Sequence, residues 1–274
     1  MRALLFTAGL AILVQSVSVA SDSLSAASPQ DPSNPPGNVV PAADSAGDSS
    51  ASAEAATLKT PQEIEAALKK ALKVEQAGTN LFRIGLVELD KEKRTVSLNA
   101  RVCLRTQVVE YALVTDKGKA YESLLTTEAA PVDVHLAFLL LGEGLGQIGG
   151  EFGRAMVVPA TNAVGIRVSW SNTNGQAVTH SLAEFVVLAA GQSEIGHPMV
   201  LEKWFYNGSV FEPSGFAAQQ EGSIVSLIRD PVALINNPGG DRDNDNIHFP
   251  NARLLPAEGS SVRVIFQLPP SGRQ

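Results

Sequence analysis

Residues 95–104, TVSLNARVCL, decide the fold class of this chain. Their apolar side chains recur at every second position, which places them on one face of an extended strand: Val96, Leu98, Ala100, Val102 and Leu104. Residues 82–87 alternate in the same way, and the polar segment 90–93 separates the two runs. Because alternating runs on either side of a short polar segment are typical of paired strands, the pattern predicts a β-hairpin.

Three further pairs of apolar runs repeat this arrangement along the chain. They lie at 108–115 and 120–126 around the turn 116–119, at 165–170 and 176–188 around Asn174-Gly175, and at 201–206 and 209–212 around Asn207-Gly208. An Asn-Gly dipeptide between apolar runs is the strongest short-range signal for a hairpin. With two later strands at 223–229 and 261–268, the sequence predicts a system of antiparallel sheets.

Two segments have helical patterns instead. Residues 61–76 follow a capping box formed by Thr60 and Glu63, and Gly78 stands where a C-terminal cap belongs, so they predict a docked helix. Residues 131–141 are apolar nearly all round, which is typical of a helix buried inside or across a sheet. The predicted fold class is α+β: mainly antiparallel β with hairpins, one N-terminal docked helix and one buried apolar helix.

The amino-terminal residues have the composition of an export signal. Arg2 precedes an apolar run that ends before Gln15, and the small residues Ser18 and Ala20 fit a cleavage site. The run is too short to span a bilayer, which needs about 20 apolar residues. We therefore expect a signal peptide over 1–20 and an exported protein, periplasmic or secreted, with no membrane span after cleavage.

A linker is predicted between this signal and the hairpins. Residues 21–57 are mostly Ser, Ala, Pro, Asp and Gly and contain no Lys, Arg or aromatic residue. Such a segment cannot bury enough apolar surface to offset its ordering entropy, so we expect it to be disordered. Residues 58–274 then form a single β-rich domain. Its core must be stable without an intrachain disulfide, because Cys103 is the one cysteine in the sequence.

The charge and cysteine content of the chain exclude several classes of function. Its formal net charge is −7 at pH 7, whereas proteins that bind nucleic acid or anionic lipid surfaces rely on clustered Lys and Arg. A single cysteine also excludes a cysteine-ligated iron–sulfur cluster. We expect no nucleic-acid partner, no cofactor other than a candidate calcium ion, and an unknown envelope or extracellular ligand.

Two loops resemble ligand-binding motifs only in part. Residues 142–150, GEGLGQIGG, lack the acidic residue that a dinucleotide site needs, since no Asp or Glu occurs over 152–183, and a mobile glycine loop is the better interpretation. In the second loop, carboxylates alternate as calcium ligands often do: Asp241, Asp243 and Asp245. Because Asn246 and Ala252 stand where an EF-hand needs Gly and Glu, a polar surface loop is the alternative to a calcium site.

Isolated residues give weaker chemical signals. None of the four histidines has metal-ligand spacing. His135 falls on the predicted buried helix, where a carboxylate partner for the imidazole would create an acid/base pair. Cys103 is flanked on its strand by Arg101 and Arg105, which favour the thiolate, although an isolated strand cysteine is more often inert. Asn207-Gly208-Ser209 is a formal glycosylation acceptor that hairpin turn chemistry also explains.

Two longer blocks show a family resemblance. EYALVTDKGKAYESLLTTEAAPVDVHLAFLLLG (residues 110–142) and WFYNGSVFEPSGFAAQQEGSIVSLIRDPVALIN (residues 204–236) together resemble the YdjY domain family, which is often found behind signal peptides. The resemblance extends over residues 82–268. It implies no known activity or cofactor, because the family is functionally undefined.

The resemblance selects particular polar residues of this chain. They are the positions that match the family pattern: Glu122, Ser123, His135, Gly208, Ser209 and Asp230. Tyr121 departs from that pattern, because a His commonly precedes the Glu-Ser-Leu-Leu run in the family. This departure weakens any proposal in which position 121 and His135 share a metal.

Three functional hypotheses follow. The first is a non-catalytic binding or structural module of the cell envelope, which agrees with the export signal, the linker and the lack of a complete catalytic signature. The second is a hydrolase-like or metal-dependent enzyme whose site is built on Glu122 and His135, with Asp230 as a third candidate in the same cleft. The third is calcium-dependent adhesion through the acidic loop at 241–245. The sequence leaves enzymatic activity undecided and favours the binding module.

Overall fold

A computed structural model describes residues 74–143, 146–189 and 196–270. The predicted signal peptide, the linker and residues 61–73 of the first predicted helix lie outside these ranges. Within the described ranges, no helix is both long enough and apolar enough to cross a membrane.

The described residues contain two α-helices and are otherwise mainly β-structure. The helices are α1 (Pro131–Leu140) and α2 (Ala217–Glu221). The strands are β1 (Val74–Gln76), β2 (Leu81–Ile84), β3 (Val87–Asp90), β4 (Thr95–Val102), β5 (Tyr111–Thr115), β6 (Ser123–Thr127), β7 (Ala163–Ser171), β8 (Ala177–Ser181), β9 (Val186–Leu188), β10 (His197–Pro198), β11 (Trp204–Tyr206), β12 (Phe211–Glu212), β13 (Gly215–Phe216), β14 (Ser223–Ser226), β15 (Ile235–Asn236), β16 (His248–Pro250) and β17 (Ser261–Gln267).

Eight of these strands close into a barrel. Around it they run in the order β4, β17, β7, β11, β15, β14, β5 and β6, and β6 pairs with β4 again where Thr126 lies opposite Arg101. The neighbours β5–β6 and β14–β15 are parallel, and the other neighbouring pairs are antiparallel. The hairpin β2–β3 extends the sheet from β4, and β8 extends it from β7. The barrel is therefore mixed.

The interior of the barrel is aliphatic where the sequence alternates. The apolar residues of β4 are buried, and the register places Leu98 opposite Val264 and Val96 opposite Phe266 of β17. Burying one such side chain stabilises the fold by about 1.5–3 kcal/mol. The strands predicted at 95–104 and 261–268 are confirmed for this reason: one face of each is in the core and the other is polar.

The predicted fold class, with mainly antiparallel hairpins, is wrong. The sequence predicts a hairpin around 116–119, but β5 and β6 run parallel, with Tyr111 opposite Ser123 and Thr115 opposite Thr127. Parallel neighbours usually need a dozen or more connecting residues, so a connection as short as 116–122 suggests a hairpin. Both strands are buried along almost their whole length, which is typical of strands covered on both faces.

The hairpin predicted at Asn207-Gly208 is also wrong. β11 pairs with β7 and β15, whereas β12 pairs with β13. Asn207 is only 3% exposed, so its side chain points into the protein instead of forming a surface turn. By contrast, Asn174-Gly175 lies between β7 and β8, which pair as predicted, and Gly175 has the positive φ of +76° that such turns favour.

The two helix predictions have different outcomes. The docked helix is wrong at its described end, because residues 74–76 form β1 and pair with β2, and the Gly78 amide donates to the Leu81 carbonyl in the turn between them. The apolar helix is confirmed as α1. Its Phe138 ring stacks on Tyr206 of β11 at 4.6 Å and meets Phe266 of β17 at 5.7 Å, so α1 packs on the barrel core.

Candidate functional site

His135 is buried on α1 and has a tyrosine, not a carboxylate, as its hydrogen-bond partner. Its Nδ1 lies 2.9 Å from Tyr206 Oη, and the Phe216 ring is 4.9 Å from the imidazole. Burial lowers the pKa of His135 to about 4, so the ring is neutral near pH 7. Burial also raises the pKa of Tyr206, so its hydroxyl keeps its proton beside the neutral imidazole. The predicted acid/base pair with a carboxylate does not form here.

Asp230 belongs to a different cluster, centred on Tyr111. Tyr111 Oη donates to Asp230 Oδ2 over 3.0 Å and accepts from Lys119 Nζ over 2.7 Å. The other carboxylate oxygen accepts from the Val232 amide at 2.9 Å. Burial, followed by the charge of Asp230, raises the pKa of Tyr111. The phenol is therefore a structural donor and not a base at neutral pH.

Glu122 lies beside this cluster. It ends a short 3-10 helix, Ala120–Glu122, that precedes β6, and its carbonyl accepts from the Glu110 amide at 2.9 Å. Burial raises the pKa of Glu110, and the charge of Glu122 raises it further. The structure therefore brings Glu122 and Asp230 to the surroundings of Tyr111, whereas no hydrogen bond or ring contact in the described chain joins His135 to either of them.

The acidic loop directs its carboxylates to protein donors. Asp241 Oδ2 accepts from Asn237 Nδ2 at 2.6 Å and lies 2.9 Å from His248 Nε2. Asp243 accepts two hydrogen bonds from Arg229, which lowers the pKa of Asp243 to about 2. Asp245 accepts from the neighbouring Asn246 side chain. Over the ranges the structure describes, no three His, Cys, Asp or Glu side chains are placed to hold a metal ion.

Two arginines, Arg229 and Arg242, bind the main chain of the glycine loop at Gly149. Arg242 is 1% exposed, and its guanidinium donates to the carbonyls of Gly149, Arg154, Pro238 and Gly239 over 2.6–3.0 Å. Arg229 Nη1 also donates to the Gly149 carbonyl, at 3.2 Å. The described part of this segment is thus tied to the loop at 238–243 and does not form a phosphate-binding turn.

Cys103 has the environment of an inert thiol. Its Sγ donates to the Ala120 carbonyl over 3.2 Å. Burial raises the pKa of Cys103, and Glu258 raises it further. The flanking arginines therefore do not produce the thiolate that their spacing in the sequence favours.

Glu143 is a buried carboxylate of the glycine loop at 142–150, and no motif in the sequence singles it out. Its Oε1 lies 2.9 Å from Arg94 Nη2, while Oε2 has no hydrogen-bond partner in the described structure. Burial raises the pKa of Glu143 from 4.5 to about 7, and Arg94 opposes this shift only in part. A group that binds its proton more tightly when folded destabilises the fold once the pH exceeds its unfolded pKa.

We predict that the free energy of unfolding falls as the pH rises from about 4.5 to about 7 and that Glu143→Gln flattens this fall. Relative to the wild type, the variant should become more stable by an amount on the order of 2–3 kcal/mol between pH 5 and pH 8. Urea unfolding at both pH values measures the difference. Glu151→Gln removes an exposed carboxylate and should leave the pH dependence unchanged; equal slopes for all three proteins would contradict the prediction.

Asn207 and Asn236 form a buried amide pair that the sequence does not reveal. Asn236 Nδ2 donates to Asn207 Oδ1 at 2.8 Å, and Asn207 Nδ2 donates to the carbonyls of Ala233 at 2.8 Å and Pro231 at 3.1 Å. Ser209 Oγ donates to the Val232 carbonyl nearby. These bonds hold the short segment that connects the parallel strands β14 and β15. The role of Asn207 is thus structural, and its buried side chain is not available as a glycan acceptor in the folded protein.

A groove crosses the outer face of the barrel. It has a volume of about 670 Å³, and β4, β17 and β7 contribute its floor. The floor side chains are in register: Arg263 lies opposite Asn99 on one side and Ser169 on the other, and Arg101 lies opposite Ser261. We call this feature the outer-face groove.

The walls of the outer-face groove come from the connections around these strands. They are formed by Leu86 in the β2–β3 turn, Asp116 after β5, Glu128 after β6 and Trp170 near the end of β7. Leu86 follows Gly85, whose φ is +56° and whose missing side chain leaves room for the Asp133 carboxylate. A Cβ at position 85 would lie 2.2 Å from Asp133 Oδ2, so glycine at this position lets the β2–β3 turn pack against α1.

The orientation of Trp170 is set by packing behind the groove. Its ring lies 5.7 Å from His180 at an interplanar angle of 23° and 5.9 Å from Phe185. His180 Nδ1 is in turn 2.9 Å from Glu184 Oε2. Trp170 is partly exposed, but it follows Ile166 and Val168 on the core-facing side of β7 and packs against the hydrophobic core.

Four charged or amide side chains of the outer-face groove have no hydrogen-bond or ion-pair partner among the described residues. Arg263 is used internally, because it donates to Glu88 and to Ser97 Oγ. In the part of the chain that the structure describes, no hydrogen bond or ion pair engages the side-chain polar atoms of the following groove residues: Asn99, Arg101, Asp116 and Glu128. The groove therefore offers donors and acceptors that the fold itself does not use.

Sequence reasoning could have found only part of this groove. Asn99 and Arg101 stand on the polar face of the strand predicted at 95–104, which identifies them as outward-facing. Their proximity to Ser169 and Trp170 depends on the pairing of β17 with both β4 and β7. No local pattern in the sequence gives that pairing.

Comparison with known proteins supports the family resemblance. The pattern that defines the YdjY domain matches residues 87–267, which include every strand of the barrel. Comparison with curated proteins and with solved structures gave no match. Because the match extends over more than half of the chain, this protein belongs to the YdjY domain family.

Proposed function

We propose that this protein is an exported, non-catalytic binding module of the cell envelope and that its ligand lies in the outer-face groove. The observation that carries the proposal is a groove of about 670 Å³ in which four charged or amide side chains have no partner among the residues that the structure describes. Ligand sites in proteins commonly measure about 300–1,000 Å³ and combine shape with a few placed polar groups. The export signal and the linker predicted from the sequence suit a domain that reaches a ligand outside the cytoplasm.

The positions of the candidate catalytic residues favour this proposal over a hydrolase-like or metal-dependent enzyme. An acid/base site needs its members within hydrogen-bonding reach of one substrate. Here His135 is bonded to Tyr206 and Asp230 to Tyr111, and both phenols keep their protons. His135 is also 3% exposed, so a substrate has no access to it without rearrangement of α1.

A thermal-shift screen of the purified protein tests the proposal. Soluble glycans, peptidoglycan fragments, peptides and metal ions are added singly, and a compound that binds the folded state raises the melting temperature. The double variant Asn99→Ala, Arg101→Ala should lose the shift, whereas the exposed Arg253→Ala, outside the groove, should keep it. If every stabilising compound acts equally on the double variant and on the wild type, the groove is not the binding site.

A further inference from the structure

We infer that the outer-face groove binds a short peptide through its two charged ends, with the terminal carboxylate at Arg101 and the terminal ammonium at Asp116 and Glu128. This inference rests on the proposed function and names the chemical class of the ligand. Three features of the groove lead to it: the surroundings of the arginine, the position of the two carboxylates and the main chain of β4 between them.

Arg101 and Arg263 stand on the same outer face of the barrel but differ in their neighbours. Arg263 donates to Glu88, so its charge is neutralised within the fold. Arg101 lies opposite Thr126 of β6 and Ser261 of β17, and neither of these residues carries a charge. A guanidinium binds a carboxylate through two parallel hydrogen bonds, so Arg101 is the position in the groove that suits a ligand carboxylate.

Asp116 and Glu128 follow two neighbouring parallel strands, and both line the groove. The register of β5 and β6 ends with Thr115 opposite Thr127, and the two carboxylates belong to the next residue of each chain. The Asp116 amide donates to the Thr127 carbonyl over 3.0 Å, which keeps the two strand ends together. Neither carboxylate has an ion-pair partner within the described ranges. An ammonium group has three donors and no acceptor, so this wall of the groove suits a ligand ammonium.

The distance between these positions suits a ligand whose charges are separated. Thr126 lies opposite Arg101, and Glu128 is two residues further along the chain, a step that spans at most about 7 Å. Paired strands add about 5 Å, so the α-carbons of Arg101 and Glu128 are at most about 12 Å apart. A peptide of two or three residues spans about 7–10 Å when extended, whereas a single α-amino acid carries both charged groups on one carbon.

The mixed charge of the groove disfavours ligands of a single sign. A polyanion would meet Asp116 and Glu128, and a polycation would meet Arg101, and like charges placed together reduce affinity. The formal net charge of −7 adds to the repulsion of a polyanion. A ligand with one charge of each sign has a favourable partner at both ends.

The part of the groove at Asn99 suits a peptide main chain. Residues 98–100 of β4 lie between the stretch that pairs with β3 and the stretch that pairs with β6, and they have no strand partner on that side. The Asn99 carbonyl accepts from Thr127 Oγ over 2.6 Å, whereas the Asn99 side-chain amide has no partner among the described residues. That amide can both donate and accept, as each peptide group does, so Asn99 can pair with the ligand between its charged ends.

The test measures binding of tri-alanine to the purified protein by calorimetry at low salt, beside the same peptide with an acetylated amino end or an amidated carboxyl end. We expect tri-alanine to bind and each blocked peptide to bind about tenfold more weakly. Arg101→Gln should weaken binding of tri-alanine by a similar factor without further weakening the amidated peptide. The double variant Asp116→Asn, Glu128→Gln should weaken tri-alanine without further weakening the acetylated peptide. The exposed Arg253→Gln, outside the groove, is the control and should bind all three peptides as the wild type does.

Two outcomes overturn the inference. If tri-alanine does not bind at millimolar concentration, or if its affinity is unchanged by blocking its ends and by both groove variants, the groove does not bind a peptide through its ends. A compound from the thermal-shift screen whose effect depends on Asn99 and Arg101 would then leave the proposed binding function in place. If neither tri-alanine nor any screened compound depends on the groove, the inference and the proposed function are both rejected.

Discussion

Replacing Asn236 with Leu should destabilise the barrel by about 3–5 kcal/mol, because it breaks three hydrogen bonds at a position without access to water. Asn236 is 0% exposed. Its Nδ2 donates to Asn207 Oδ1 at 2.8 Å and to the Asp230 carbonyl at 2.7 Å, and its Oδ1 accepts from the Asp230 amide at 2.8 Å. Leucine has a similar volume, so the loss reflects unsatisfied polar groups and not a cavity.

Urea unfolding of the wild type and the variant measures this loss. Asn174→Leu is the matched control, because Asn174 is exposed in the β7–β8 turn, and it should change the free energy of unfolding by about 0.5 kcal/mol or less. Equal midpoints for Asn236→Leu and the control would show that the amide pair does not support the barrel. Asn207→Leu should behave like Asn236→Leu, since each removes the same amide contact.

The family-matching residues gain a structural explanation from these contacts. Ser123 Oγ donates to the Lys119 carbonyl at 2.6 Å, within the connection between the parallel strands β5 and β6. Ser209 Oγ donates to the Val232 carbonyl, and Asp230 Oδ1 accepts from the Val232 amide at 2.9 Å, within the connection between β14 and β15. Both connections are shorter than is usual between parallel strands. Side-chain hydrogen bonds satisfy main-chain groups within them. The family resemblance at Ser123, Ser209 and Asp230 therefore coincides with contacts that hold the connections of the barrel.

The accuracy of the sequence predictions follows how each strand is buried. β4 and β17 alternate because one face is in the core and the other meets solvent, and both strands are predicted correctly. β5, β6 and β11 are buried almost throughout, so they show no alternation and their partners are mispredicted. Strand direction is a long-range property: β5 pairs with β14, more than a hundred residues away along the chain.

The candidate site illustrates the same limit. The burial of His135 follows from its position on an apolar helix. Its partner Tyr206 could not be predicted, because the sequence pairs the strand of Tyr206 with residues 209–212 in a hairpin that does not form. Asn99, Ser169 and Arg263 become neighbours only through the register of three strands that are far apart in the sequence. Residue type and spacing identify outward-facing polar positions; closure of the barrel decides which of them share a groove.

Arg242→Met should destabilise the protein by about 3–5 kcal/mol, because it removes the four hydrogen bonds of a buried guanidinium. The guanidinium of Arg242 is the shared donor for Gly149, Arg154, Pro238 and Gly239. Methionine fills much of the same space with apolar atoms, so the carbonyls lose the guanidinium without a large void. The segment at 146–156 should then detach from the loop at 238–243 before the barrel unfolds.

Hydrogen exchange and urea unfolding together measure both parts of this prediction. The Met156 amide, which donates to the Pro238 carbonyl at 2.7 Å, should exchange faster in Arg242→Met than in the wild type. Arg154→Met removes an exposed guanidinium from the same segment but keeps its main-chain carbonyl, so it should leave exchange and stability unchanged. If Arg242→Met does not fold, Arg229→Met supplies the test, because it removes the contacts to Asp243 and Gly149 from a partly exposed position. Unaltered exchange at Met156 in both variants would mean that neither arginine anchors the loop.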